Sequence, residues 1–434
     1  MPSMPPPESA DARTRAHQIL TQLAAEGPGA SSRDPERGLA GAIVRTTVRR
    51  WLTIRHLIRQ AGQRDPDTLE PVVCASVLGG VAELVCLDGT PDPIVVDAHV
   101  ESIRPYRPGA TKLVNAILRR VIDLRGEKIE QADFADPSHI PLGAGHGWKL
   151  SEPILLPGDD PLAILAVRSG MPRGLIRRWA REQGLEEATR GAWHGVMQAP
   201  VVIQDIDSGQ AEQLGLLPHV EPNAYVLPRE ANPAEVIEAT GGRIQDVGSA
   251  RAVDFALDLE PATILDPCAG GGTKTDQMRR RFPNAHITAW DPDQERQDRL
   301  RVRFSKDEGI TVTNRPPEGT YDLVLLDVPC SNSGVLARRP TARHRFGLRS
   351  LADLEQLQDE ILHNWRPAVA PRGHLLWSTC SLEPEENELF LDQRTPDLQL
   401  ELVRRERALP AGLPGEPNTV YRDGGTVTLL RGSE

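Results

Sequence analysis

The sequence predicts a multidomain protein with an all-helical N-terminal domain and a C-terminal α/β domain built on a doubly wound, mainly parallel sheet. The length of 434 residues exceeds what a single hydrophobic core usually organises. Apolar residues recur at three- and four-residue spacing from about residue 12 to residue 125, which is the period of amphipathic helices. From about residue 244, short apolar runs alternate with helical stretches, as in a parallel sheet covered by helices on both faces.

Changes in composition and in hydrophobic periodicity along the sequence set the predicted domain boundaries. Residues 1–10 are rich in proline and are predicted to be a disordered tail, and residues 11–126 form the helical domain. Residues 127–165 lose periodicity and gain Gly, Pro and Asp, which predicts a linker. A small α/β segment then covers residues 166–243, and the main α/β domain covers residues 244–434.

The apolar runs of the main α/β domain end in, or just before, Asp or Cys. The predicted strands are A-T-I-L-D (262–266), H-I-T-A-W-D (286–291), Y-D-L-V-L-L-D (321–327) and G-H-L-L-W-S-T-C (373–380). Ligands of doubly wound sheets bind beyond the carboxyl ends of the strands. The polar residues at these ends are therefore predicted to form the site.

The stretch D-P-C-A-G-G-G-T-K-T (266–275) follows the first of these strands and opens a helix, which is typical of a cofactor loop. A phosphate-binding P-loop fits poorly, because Thr273 stands where the motif requires glycine before lysine. The dinucleotide fingerprint fails as well, because its last glycine is absent. An S-adenosylmethionine loop needs small residues and an acidic residue after the second strand, and Asp291 is that residue. A ribose-binding carboxylate is also compatible with NAD, so the loop and Asp291 alone indicate a nucleoside cofactor.

Two of the five cysteines, Cys330 and Cys380, stand at the ends of predicted strands. A hydride-transfer enzyme has no need for two thiols there, whereas an enzyme that methylates a pyrimidine at C5 needs thiol chemistry. A thiolate that adds to C6 makes C5 nucleophilic, which is covalent catalysis, and a second acid/base group assists release. Asp327 is placed to hydrogen-bond the ring nitrogen. Pro384 suits the first position of a helix whose N-terminus would favour the Cys380 thiolate.

Composition and charge limit the cellular location and the partners expected for this protein. No apolar run is long enough to span a membrane, the N-terminus lacks the pattern of a signal peptide, and the few scattered cysteines predict a cytoplasmic protein. No C-x-x-C pair is present, so no metal site is expected. The formal net charge of −11 argues only weakly against a nucleic-acid partner, because it is an average over the whole chain and binding needs only a local basic face. Arginine clusters, by contrast, predict phosphate contacts, and their proposed members are Arg45, Arg49, Arg50, Arg338, Arg339 and Arg343.

These motifs resemble those of the Sun-type RNA cytosine-5 methyltransferases, in particular the bacterial branch that modifies 16S ribosomal RNA. The motif D-V-P-C-S-N-S-G-V (327–335) is similar to the family's D-A-P-C-S-G-T-G-V, and T-C-S-L-E-P-E-E-N-E (379–388) keeps the family's T-C-S-x-x-P-E-E-N-E. The loop C-A-G-G-G-T-K-T (268–275) resembles C-A-A-P-G-G-K-T. In the N-terminal region, K-L-V-N-A-I-L-R-R (112–120) resembles the RNA-binding fold of the antitermination factor NusB.

The resemblance implies a Rossmann-like methyltransferase domain with S-adenosylmethionine as cofactor. The implied partner is RNA, most of all 16S rRNA, and we expect a monomer. It implies Cys380 as the nucleophile, Cys330 in product release and Asp327 against the base and the cofactor region. The implied cofactor-binding residues are Cys268, Ala269, Gly270, Gly271, Gly272, Thr273, Lys274, Asp291, Asn314 and Asp327.

Two departures from the family loop motivate one alternative. The family's proline is Gly271 here, and its second glycine is Thr273, which would weaken cofactor binding if that position requires a positive φ. The alternative is an RNA-binding or ribosome-assembly factor that keeps the fold with little catalysis. A DNA cytosine-5 methyltransferase is a further rival, but those enzymes lack the T-C-S cysteine that Cys380 provides.

Overall fold

The computed structural model describes residues 8–30, 38–154 and 160–433. Residues 1–7 of the predicted tail lie outside this part of the chain, while Glu8–Ala10 belong to the first helix. Backbone contacts divide the chain into two compact units. The first comprises residues 1–198, 336–345 and 413–416, and the second comprises residues 199–335, 346–412 and 417–434.

The first unit contains the predicted helical domain. Its helices up to Gln198 are α1 (Glu8–Glu26), α2 (Leu39–Arg49), α3 (Trp51–Gly62), α4 (Pro71–Cys86), α5 (Asp92–Ile103), α6 (Thr111–Arg125), α7 (Pro161–Ser169), α8 (Arg173–Glu182) and α9 (Leu185–His194). Every residue of α4 from Val73 to Val85 is buried, so α4 forms the centre of this core. The amphipathic α6 buries Val114, Ile117, Leu118, Val121 and Leu124, at the spacing that its sequence predicts.

Residues 127–165, which we predicted to be a linker, carry three short strands. These are β1 (Glu127–Ile129), β2 (His139–Pro141) and β3 (Gly147–Lys149), paired in the antiparallel order β1-β3-β2. Ile140 and Leu150 join the helical core, and the Trp148 indole donates to the Val85 carbonyl at 2.8 Å. Strands of three residues are too short to show a period in the sequence, which explains why texture alone indicated a linker.

The predicted segment 166–243 is divided between the two units. Helices α8 and α9 belong to the first unit, whereas the strands that follow belong to the second. The latter form an antiparallel sheet in the order β5-β6-β4-β7. They are β4 (Val202–Gln204), β5 (Leu217–Pro218), β6 (Ala224–Val226) and β7 (Arg243–Ile244), with α10 (Ser208–Gln213) and α11 (Pro233–Thr240) between them.

The second unit also contains the predicted doubly wound sheet. Its elements before residue 336 are α12 (Val247–Asp254), β8 (Thr263–Asp266), α13 (Thr273–Arg281), β9 (His286–Ala289), α14 (Gln294–Phe304), β10 (Ile310–Val312) and β11 (Tyr321–Asp327). After α15 (Ala342–Arg345), which belongs to the first unit, follow α16 (Leu348–Trp365), β12 (Val369–Thr379), α17 (Glu388–Arg394), β13 (Leu400–Ala408) and β14 (Gly425–Gly432).

Within the described residues this sheet has seven strands in the order β10-β9-β8-β11-β12-β14-β13. The first five are parallel, and β14 and β13 pair antiparallel at one edge. Side chains of β11 alternate between two cores, with Leu323 and Leu325 on one face and Val324 and Leu326 on the other. The order reverses between β8 and β11, so the carboxyl ends of these two strands border the crevice where such folds bind ligands.

Candidate active site

The glycine-rich loop connects β8 to α13 and takes its shape from two glycines. Gly270 and Gly272 have φ values of 55° and 80°. A side chain at Gly272 would meet the Phe304 ring at 2.7 Å, so this position needs glycine for space as well. Thr273 is the first residue of α13 and is not among the residues with positive φ. The condition under which Thr273 would weaken cofactor binding is therefore not met.

Asp291 follows β9 and holds the loop from the neighbouring strand. Its Oδ2 accepts the Gly270 N–H at 2.9 Å, and its Oδ1 accepts the Asp293 N–H at 3.0 Å. The residue is only 2% exposed. Each carboxylate oxygen keeps a second lone pair, as expected for a residue that accepts hydrogen bonds from ligand hydroxyls.

Asp266 ends β8 beneath the loop and was not among the predicted site residues. The Thr275 hydroxyl donates to its Oδ2 at 2.6 Å, whereas its buried Oδ1 has no hydrogen-bond partner among the described residues. Burial raises the pKa of Asp266 to about 7, and the charge of Asp327 adds to this while the Thr275 bond opposes it. The aspartate at the end of the first strand was the sequence signal that could have found it.

The residues of this crevice fit S-adenosylmethionine. A Cβ placed on Gly271 would meet nothing within 4 Å, so the loop is open at this position. The unpartnered Asp266 oxygen suits an ammonium group, and Asp291 suits ribose hydroxyls.

The other predicted cofactor residues differ in their surroundings. Ala269 ties the loop to β9, since its N–H donates to the Trp290 carbonyl at 3.1 Å. Cys268 is half-buried, and burial together with three nearby carboxylates raises the pKa of its thiol well above the usual value. Asn314 is exposed beyond β10, and its Oδ1 accepts from Arg301.

Cys330 and Cys380 lie side by side. Their sulfurs are 3.1 Å apart, and both are free thiols. The pairing of β11 with β12 explains this, because Asp327 is in register with Ser378 and the loops after both strands leave the same edge. Asn332 joins the two loops, donating to the Cys330 carbonyl at 2.7 Å and accepting from the Cys380 sulfur at 3.3 Å.

The two thiols share a hydrogen bond that affects the charge of Cys330. The bond to Cys380 is the largest cause that raises the pKa of Cys330 well above its ordinary value, followed by burial and by the charges of Cys380 and Glu386. Cys330 therefore keeps its proton at neutral pH.

Lys274 forms an ion pair with Asp327 and does not lie on the open face of the loop. Its Nζ is 2.8 Å from Asp327 Oδ2, and the Ser378 hydroxyl donates to Asp327 Oδ1 at 3.1 Å. Burial lowers the pKa of Lys274, but the charges of Asp327 and Cys380 outweigh it, so the net shift is upward. Lys274 and Cys380 line a common pocket together with Thr379 and Gly424.

The helix expected to begin at Pro384 is shorter than predicted. Pro384–Glu386 form a single 3₁₀ turn, Asn387 leaves the helical conformation with φ −133°, and α17 begins only at Glu388. A turn of this length supplies little helix dipole, so the charge beside Cys380 comes from Lys274 instead.

Three of the arginines predicted to contact RNA are buried in the first unit. Arg343 is 1% exposed and donates to four main-chain carbonyls, those of Arg49, Gly170, Gly195 and Leu336. Arg49 donates to the Ala337 carbonyl at 3.1 Å, and Arg50 donates to the Arg168 carbonyl at 2.7 Å. Phosphate contact requires an accessible guanidinium, so the prediction is wrong for Arg49, Arg50 and Arg343.

For the remaining three arginines, RNA contact stays a prediction. Arg338 and Arg339 are exposed, and Arg45 is half-buried. Among the helices in the described ranges, none is both long and apolar enough to cross a bilayer.

Comparison with known proteins identifies both parts of the chain. A sequence model described as 16S rRNA methyltransferase RsmB/F matches residues 255–409, and one described as the NusB family matches residues 10–123. The crystal structure of PH0851 covers 99% of this chain and 99% of its own, with a TM-score of 0.68 and 19% identity. This likeness confirms the fold, with its helical N-terminal domain and mainly parallel methyltransferase sheet.

Curated relatives match the chain over nearly its full length. The ribosomal RNA small subunit methyltransferase B of Xanthomonas campestris is 29% identical, over 96% of this chain and 93% of the relative. The protein of the same name from Salmonella paratyphi A is 32% identical, over 95% of each chain. The site accordingly uses S-adenosylmethionine, and the chain is an RNA methyltransferase of the ribosomal RNA small subunit methyltransferase B family.

Proposed function

We propose that this protein methylates C5 of a cytosine in RNA, with 16S rRNA as the substrate, through a covalent adduct between Cys380 and C6 of the base. The observation that carries the proposal is the pair of thiols 3.1 Å apart at the ends of adjacent parallel strands. The names of the relatives, which are ribosomal RNA small subunit methyltransferases, support the choice of RNA.

Formation of the adduct depends on the ion pair and the thiols together. The Cys380 sulfur forms a bond to C6, and the electrons of the C5–C6 double bond move into the ring. The Lys274 cation lines the same pocket as the Cys380 sulfur and pairs with Asp327, to which we assign a hydrogen bond with the ring. S-adenosylmethionine supplies the electrophilic methyl group that C5 takes up.

Release is the step that we assign to Cys330. The C5 proton must leave while the bond between sulfur and C6 breaks, with its electron pair returning to Cys380. Before attack, Cys330 holds its proton chiefly because it hydrogen-bonds Cys380. Once Cys380 is bonded to C6, it no longer shares this hydrogen bond with Cys330. The pKa of Cys330 therefore falls at the step in which a base must take the C5 proton. Overall, one proton is released for each methyl group transferred.

We expect the substrate to reach Cys380 from the pocket that this residue lines. We propose that this pocket takes the target base after it is unstacked from the RNA. Arg45, Arg338 and Arg339 are the predicted phosphate contacts that remain, with the NusB-like domain as the main RNA-binding element. The cytoplasmic location and the monomeric state stay predictions.

Separate substitution of the two cysteines tests the proposal. Unmodified 16S rRNA transcribed in vitro is incubated with S-adenosylmethionine, and covalent protein–RNA complexes are resolved on a denaturing gel. Cys380→Ala should abolish both adduct and product, whereas Cys330→Ala should accumulate adduct. Cys86→Ala, a thiol of the helical domain, serves as the control and should behave as the wild type. Adduct formation by Cys380→Ala but not by Cys330→Ala would reverse the two roles.

Titration with S-adenosylmethionine distinguishes the enzyme from an RNA-binding assembly factor. The geometry at Thr273 removes the main reason for the assembly-factor alternative, so we expect measurable binding. Absence of heat at millimolar cofactor, with intact RNA binding, would favour that alternative.

A further inference from the structure

Glu386 is a buried carboxylate that the steps above do not use. It is 0% exposed and closes the 3₁₀ turn that follows the Cys380 loop. Its Oε1 accepts from the Ser331 N–H at 2.8 Å and from Gln358 Nε2 at 3.0 Å. Its Oε2 accepts from the Ser331 hydroxyl at 2.5 Å and from the Ser381 hydroxyl. Two donors on each oxygen satisfy an ionised carboxylate fully.

The donors to Glu386 come from both cysteine loops. Ser331 directly follows Cys330, and Ser381 directly follows Cys380. Gln358 on α16 also donates to the carbonyl of Pro329, the residue before Cys330. Cys330 is therefore fixed on both sides by groups that converge on one carboxylate, and the same carboxylate fixes the loop of Cys380.

We propose that Glu386 is the positioning residue that locks the two cysteine loops onto each other and keeps Cys330 within reach of the carbon pair that Cys380 attacks. Glu386 itself forms no bond with the substrate and transfers no proton. Its loss should let the Cys330 loop drift. Cys380 should keep its ability to attack, because it directly follows Thr379 at the end of β12, and Thr379 pairs with Thr426 of β14. This inference rests on the proposed two-thiol function.

Release should consequently suffer more than adduct formation. A general destabilisation lowers the yield of adduct and product together and leaves their ratio unchanged. A misplaced Cys330 instead raises the ratio of covalent adduct to methylated product, as a milder form of Cys330→Ala. We expect Glu386→Ala to raise this ratio about tenfold, because it leaves several buried donors without an acceptor.

Glu386→Gln separates hydrogen-bond geometry from charge. The amide oxygen can take the place of Oε1 and accept from the two fixed donors, the Ser331 N–H and Gln358. The amide NH₂ can then donate to the hydroxyls of Ser331 and Ser381, because hydroxyl groups rotate and accept as well as donate. The loops stay joined, so Glu386→Gln should keep the ratio within about threefold of the wild type.

The assay uses full-length protein, unmodified 16S rRNA transcribed in vitro and S-adenosylmethionine. Adduct is quantified on a denaturing gel and product by incorporation of labelled methyl groups, and Glu385→Ala, at the half-exposed neighbouring position, is the matched control. Circular dichroism and cofactor affinity establish that each variant is folded. If Glu386→Ala does not fold, Ser331→Ala, which removes one hydroxyl donor, should raise the ratio by a smaller factor.

Two results would overturn the proposal. One is an unchanged ratio in folded Glu386→Ala, or in Ser331→Ala where that variant replaces it. The other is a Glu386→Gln variant as defective as Glu386→Ala, which would assign the effect to charge rather than to hydrogen bonds. Failure of the underlying function looks different, because Cys330→Ala would then accumulate no adduct in the same experiment.

Discussion

Arg343→Met provides the sharpest test of how the arginines of this protein are used. Arg343 lies in a motif that resembles a basic RNA-binding run, yet its guanidinium is buried and donates to four carbonyls at 2.8 to 3.4 Å. Burial, reinforced by the charges of Arg49 and Arg50, lowers the pKa of Arg343 to about 9. Methionine keeps much of the side-chain length but offers no donor.

The expected effect is on stability rather than on RNA affinity. Substitution leaves the buried carbonyls without their shared donor, and relief of the buried charge offsets part of the loss. We estimate a net destabilisation of about 3 kcal/mol. For a unit of this size, the melting temperature should fall by roughly 10 °C.

Thermal unfolding followed by circular dichroism at 222 nm measures the shift, and filter binding to 16S rRNA below the transition measures affinity. Arg338→Met, at an exposed position of the same segment, is the control. It should melt like the wild type and bind RNA less tightly at low salt. Our reasoning would be refuted by an Arg343→Met variant that melts within 2 °C of the wild type while losing RNA affinity.

Two further predictions concern the cofactor loop. Because the pKa of Asp266 is raised to about 7 and only the ionised carboxyl attracts an ammonium group, affinity for S-adenosylmethionine should rise about eightfold between pH 6 and pH 7.5. Isothermal titration should show this dependence in the wild type and not in Asp266→Asn, and a flat wild-type profile would contradict it. Thr273→Gly should change the dissociation constant by less than about threefold, because Thr273 is helical and needs no positive φ. A much larger gain in affinity by equilibrium dialysis would show that the threonine obstructs the cofactor.

The parallel strands were predictable because their signal is local. β8, β9 and β11 appear within the predicted runs, each a short apolar segment ending near an acidic residue. A strand buried on both faces must be apolar along its length, so composition reveals it without knowledge of its neighbours. The short strands β1–β3 carry no such signal, and a linker was predicted in their place.

The arginines show the opposite case. Arg338, Arg339 and Arg343 are equivalent in sequence, each a basic residue in one short run. Arg343 is buried against converging carbonyls, and those belong to residues as distant in the chain as Arg49 and Gly195. Burial of a cation depends on such long-range partners, which no local pattern contains.

The sequence by itself predicted the groups of the candidate site: two thiols, an aspartate and a glycine loop at the carboxyl ends of a parallel sheet. The tertiary structure decided which of these groups contact each other. The register of β11 with β12 brings the sulfurs to 3.1 Å, Lys274 turns to Asp327, and Glu386 gathers donors from both cysteine loops. Contacts between groups far apart in the chain arise only when strands pair, and for that reason the sequence could name the residues but not their partners.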